Sequence, residues 1–123
     1  MRTPERRNQR SEKAHLALNL FLESMREREG LEALAVTTED GFLVAGVGET
    51  DVEWMGALGA SSRRSTFQWD DRTLHVQRVE VNRVPMYVTS AGRAASASAV
   101  QLGFERILAA CPELPLSPTV AAP

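Results

Sequence analysis

With a single cysteine, Cys111, the chain cannot form an internal disulfide, which fits a reducing compartment. Its place near the end of a predicted final helix marks it as a small buried hydrophobe rather than a nucleophile. Only two histidines are present, His15 and His75, both far in sequence from Cys111. That leaves no ligand set for a structural zinc ion. No window approaches the roughly 18 unbroken apolar residues of a membrane span. The N-terminal residues lack the basic-then-apolar order of a secretory signal, because residues 2–13 are polar. A cytoplasmic protein is therefore expected. The formal charge of −2 is close to neutral and argues against a dedicated nucleic-acid binder.

Catalytic signatures are missing as well. There is no G-x-S-x-G elbow. Asp70 and Asp71 lie near His75 across a predicted turn, but an exposed turn cannot hold a triad or shift its pKa values far. Gly46-Val47-Gly48 lacks the lysine that a phosphate loop requires. These residues imply no active site, cofactor or metal.

What is there is one compact pattern. A chain of 123 residues holds one domain, with enough buried surface for a core that needs no metal or disulfide. Leu34-Ala35-Val36 and Phe42-Leu43-Val44-Ala45 flank Glu39-Asp40-Gly41, and Asp-Gly between apolar runs signals a hairpin. Neither run alternates, so the sheet they belong to should be covered on both faces. Strands are expected at about 33–37 and 42–47. Thr50-Asp51-Val52-Glu53 then reads as a capping box with Thr50 as the cap, opening a second helix over about 51–61. Met55 and Leu58 should face the sheet. Gly56, Ala57, Gly59 and Ala60 would let another backbone approach closely, and Trp54 is left for a partner.

Ahead of this unit, residues 1–10 form a basic arm, continued by Lys13. It could touch acidic lipid or an acidic protein face, or remain a solvated tail. Helix one is expected from Ser11, a good N-cap, to Gly30, a good C′ residue, with Leu18, Phe21, Leu22 and Met25 as its apolar stripe. His15 should be a structural histidine near its start. After helix two, residues 65–69 alternate, with Phe67 and Trp69 on one side and Thr66 and Gln68 on the other. Along 74–81 the apolar positions change parity, which requires either a bulge near Gln77-Arg78 or a change in the buried face. Pro85 must sit at the start of the next strand, over about 84–89, or in a bulge. The last helix, about 94–110, carries Ala97, Val100, Phe104, Ile107, Leu108 and Cys111 on one stripe. Residues 112–123 contain four prolines and should be extended or disordered.

The order of elements, the Val36-to-Ala45 hairpin with its Asp-Gly turn, and the small-residue helix from Glu53 to Ser61 resemble the roadblock/LC7 family over about residues 11–111. The resemblance implies an α+β fold: a three-layer α/β/α sandwich, profilin-like, on a five-stranded antiparallel sheet, in the order α1-β1-β2-α2-β3-β4-β5-α3. Helices one and three would cover one face and helix two the other. It also implies a homodimer formed through strand three and helix two, with Trp54, Gly56, Ala57, Gly59, Ala60, Thr66, Phe67, Gln68 and Trp69 at the interface. Bacterial members partner or regulate Ras-like small GTPases in polarity and gliding motility, without a cofactor.

The residues support the dimer on their own terms, since an aromatic-bearing edge strand left open invites aggregation. Phe67 and Trp69 could equally cover the monomer's own core. Glu53, Trp54, Arg63 and Arg64 are candidates for partner contact. Arg63-Arg64-Ser65 reads as a basic lip for a GTPase, a phosphorylation site or a charged loop. Three functions follow: a non-enzymatic adaptor for a GTPase or another roadblock protein, a GTPase-activating protein, and a profilin- or PAS-like ligand sensor.

Overall fold

A computed structural model describes residues 6–110, with side chains from Glu12 onward; Cys111 and the expected Pro-rich tail lie outside the described residues. The elements are α1 (Arg6–Glu29), β1 (Ala33–Thr38), β2 (Leu43–Gly48), α2 (Val52–Ser62), β3 (Thr66–Trp69), β4 (Arg72–Val81), β5 (Val84–Ala91) and α3 (Ala97–Ala110). The strands form one antiparallel sheet in the order β2-β1-β5-β4-β3. This is the expected α+β architecture and element order.

Strand parity assigns the layers. Leu34, Val36, Met86 and Val88 point to one face, where they meet Leu18, Leu22 and Met25 of α1 and Val100, Phe104 and Leu108 of α3. Phe21 meets Phe104 edge-on there, with ring centroids 6.1 Å apart. Ala33, Ala35, Leu74 and Ala91 point to the other face, where Met55 of α2 covers them with Phe67 and Trp69 at the margin. Central strand β1 has both faces buried, which is why its sequence does not alternate.

Helix α1 begins at Arg6, earlier than the Ser11 start expected, because residues 6–10 contain no helix breaker and the helix continues through Ser11. It ends as expected. Gly30 is left-handed (φ 69°), and the Leu31 N–H donates to the Arg26 carbonyl at 2.9 Å, closing a Schellman turn. His15 is exposed, as the helical spacing allows.

The hairpin forms with Gly41 at φ 90° and its N–H donating to the Thr38 carbonyl at 3.0 Å. A bulge falls between Val36 and Thr37, which pair with Ala45 and Leu43, so Val44 is the extra residue. Phe42 is a correction: it precedes β2 and is 71% exposed. The helix cap is another. Asp51 caps α2, its carboxylate accepting from the Trp54 N–H at 3.0 Å, where Thr50 had been expected. A carboxylate at the N-cap satisfies an otherwise orphan N–H and also meets the positive end of the helix dipole.

The parity change along β4 is a change of covered face. The β4–β5 register runs without a shift from Leu74↔Ala91 to Val81↔Val84. Leu74 joins the α2-side core, while Val79 and Val81 join the core under α1 and α3. Pro85 sits at the start of β5, and the β1 pairing ends at Thr38↔Met86, so no strand there needs the missing donor. Both tight hairpins, at Asp70-Asp71 and Asn82-Arg83, have positive φ at both central residues, the type I′ geometry. Helix α3 starts at Ala97, later than the 94 expected: residues 92–96 run as a loop, held by Ser90 Oγ accepting from the Ala95 N–H at 3.2 Å.

Candidate functional site

The two sheet edges are treated differently. At β2, the Gly46 N–H that points away from β1 donates to Asn19 Oδ1 of α1 at 3.1 Å, so this edge is partly capped from within. Among the described residues, β3 has β4 as its one strand neighbour. The Ser65 carbonyl accepts from the Val76 N–H at 2.8 Å, and the Asp70-Asp71 turn closes on the Trp69↔Arg72 pair. In an antiparallel ladder this alternation turns the odd-numbered backbone groups of β3 toward β4. The N–H and C=O groups of Thr66 and Gln68 therefore face outward along an open border. Thr66 and Gln68 are exposed, whereas Phe67 and Trp69 are half-buried against the core under α2.

Helix α2 crosses the sheet from β2 toward β4. Val52 lies over Gly46 of β2, Gly56 over Thr37 of β1, and Gly59 over Thr89 of β5. A Cβ at Gly56 would stand 2.6 Å from Thr37 Cγ2, and one at Gly59 would stand 2.9 Å from Thr89 Cγ2. Both glycines are buried, and both serve the helix's approach to its own sheet. This corrects the expectation that they let two copies of α2 meet. Leu58, expected on the sheet, is only half-buried, and Ala57 and Ala60 flank the Gly41 turn.

Three residues expected at a partner contact separate. Trp54, 56% exposed, stands at the β2 end of α2 and cannot line the β3 border. Arg63, left-handed at φ 59° as the α2 C-cap, and Arg64 stand at the opposite end, immediately before β3, and both are exposed. Trp54 instead shares a recess of about 410 Å³ with Asp40, Gly41, Phe42, Asp51, Glu53 and Ala57. Phe42 was missed in the sequence because it reads as the first residue of an apolar strand. The Asp-Gly turn and the bulge, which together move the strand start, were the only signals that could have exposed it.

A second recess, of about 300 Å³, lies at the other end of β1, lined by Arg26, Glu32, Ala33, Glu49, Thr50 and Arg72. Its arginines are already paired, Arg72 Nε with Glu32 Oε1 at 3.3 Å and Arg26 Nε with Glu23 Oε1 at 3.0 Å. Among the described residues, no group of three or more His, Cys, Asp or Glu is placed to hold a metal ion, and no helix is long and apolar enough to cross a membrane.

The fold defines a class: an α/β/α sandwich built on a five-stranded antiparallel sheet with β3 at one edge. No family model and no curated protein matches the chain. Among solved structures the chain is similar to Myxococcus xanthus MglB, with a TM-score of 0.45 and 13% identity over 87% of this chain and 87% of that one. At that degree of likeness, function must be argued from this chain's own surfaces.

Proposed function

We propose that this protein is a non-enzymatic, homodimeric regulator of the roadblock type. It pairs β3 with β3 of a second copy and presents the α2 side of the joined sheet to a Ras-like small GTPase or to another roadblock protein. The pathway that the sequence resemblance favours is bacterial polarity or motility. The observation that carries this reading is the outward-facing backbone of Thr66 and Gln68 on an edge strand that no second strand pairs with among the described residues, backed by Phe67 and Trp69.

Edge strands left open are a hazard, and antiparallel self-pairing about a two-fold axis removes two such edges at once. An axis normal to the sheet puts both α2 helices on one face. Arg63 and Arg64 of each copy then flank the seam, where they form a basic lip suited to an acidic protein surface.

The partner is tested by mixing the full chain with a Ras-like GTPase of the same genome, loaded with GDP or with a non-hydrolysable GTP analogue. Co-elution at micromolar concentration in one nucleotide state is expected. Failure to associate in both states contradicts the partner assignment. Faster phosphate release with GTP would make the protein an activator rather than an adaptor.

A further inference from the structure

The recess between the hairpin turn and the start of α2 has a chemistry that the β3 border lacks. Phe42 and Trp54, both exposed large apolar side chains, line it together. Its charged lining is all of one sign: Asp40, Asp51 and Glu53. None of these three carboxylates has an ion-pair partner among the described residues. The basic residues flanking β3, Arg63 and Arg64, stand at the far end of the helix.

We propose that this recess is a binding site for a protein segment that presents an arginine or lysine beside an apolar side chain. Charge complementarity selects the occupant. A cation seated between the rings gains from the faces of Phe42 and Trp54 and from the carboxylates around them. An acidic segment would be repelled by Asp40 and Glu53, and a neutral one would cover the apolar wall but leave these carboxylates unpaired. Asp51 contributes least, because its carboxylate already holds the Trp54 N–H and sits on the positive end of the α2 dipole. Asp40 and Glu53 are the recognising groups, and Phe42 and Trp54 supply the apolar wall. Gly41, left-handed at φ 90°, lies against Ala57 of α2 and sets the turn that leads into Phe42 at the edge of the recess. The site lies at the β2 end of α2 and does not depend on pairing through β3.

The test uses the full chain, isotope-labelled, titrated with a blocked Leu-Arg-Ala-Leu-Arg peptide and followed by NMR. A second peptide replaces each arginine with citrulline, which keeps the shape and removes the charge. The arginine peptide is expected to shift the Trp54 indole N–H and the Gly41 and Phe42 amides, with citrulline binding about tenfold weaker. The double variant Asp40→Asn, Glu53→Gln should weaken arginine-peptide binding several-fold while lowering the thermal midpoint by no more than a few degrees, since both carboxylates are exposed and only Glu53 lies in the first turn of α2. Equal affinity for the two peptides overturns the proposal. So does a set of shifts centred on β3 or α1, or none at the Trp54 indole with millimolar peptide.

Discussion

Gly59 of α2 sits directly on Thr89 of β5, and the Thr89 hydroxyl beneath it is buried without a hydrogen-bond partner among the described residues. The same arrangement repeats one helical turn earlier, where Gly56 sits on Thr37 and the Thr37 hydroxyl is also unpartnered. Two threonines on adjacent central strands thus act as knobs, and two glycines three apart on the helix are the notches that receive them.

Filling either notch should be costly. Gly59→Ala forces its new methyl into Thr89 and should destabilise the fold by about 1–3 kcal/mol in urea unfolding, despite the better helix propensity of alanine. Adding Thr89→Ala should recover part of that loss, so the two effects will not sum. If Gly59→Ala proves as stable as the parent, α2 does not seat on the sheet in this way.

The hydroxyls themselves add nothing that a methyl would not. Thr89→Val keeps the shape and removes an unpartnered buried polar group, so it should leave stability unchanged or raise it by about 1 kcal/mol. A clear loss would mean that the hydroxyl has a partner.

The cap of α2 distinguishes two neighbouring residues. Asp51→Ala should cost about 1 kcal/mol, whereas Thr50→Ala should cost little. Thermal or urea unfolding of the two variants checks this, and the reverse order would restore Thr50 as the cap.

One surface pair gives a pH signature. The Glu23 carboxyl is held below the ordinary carboxylate range, first by its hydrogen bond from the Arg26 guanidinium and then by that group's charge. Its folded pKa is lower than its unfolded one. The contribution is therefore complete above the ordinary carboxylate pKa and is lost as pH falls through the lowered value. Glu23→Gln should flatten the decline in stability that sets in as pH falls below the ordinary carboxylate pKa. Added salt should shrink the difference, because the pair stands at the surface.

The parts of this fold that were legible in the sequence are those set by local chemistry. Asp40-Gly41 produced the hairpin, Gly30 ended α1, and the parity change along β4 correctly offered a change of covered face. What escaped was decided between elements. Gly56 and Gly59 announce a close approach, but helical spacing alone cannot say whether a partner or the chain's own sheet comes close; Thr37 and Thr89 decide it. Trp54 read as a seam residue because nothing local reveals that α2 lies with its start over β2 and its end toward β4. Phe42 read as the first residue of the second strand because it is apolar and continues the Leu43-Val44-Ala45 run, whereas the strand begins at Leu43.

The central claim is that β3 is the border through which two copies join, and a proline at its outward-facing position tests it most directly. Gln68→Pro removes an N–H that points away from β4, so it leaves the β3–β4 ladder intact. Sedimentation velocity of the full 13.5-kDa chain should show a dimer for the parent and a folded monomer for Gln68→Pro. A parent that sediments as a monomer at about 100 μM, or a Gln68→Pro variant that remains a dimer, would contradict the account.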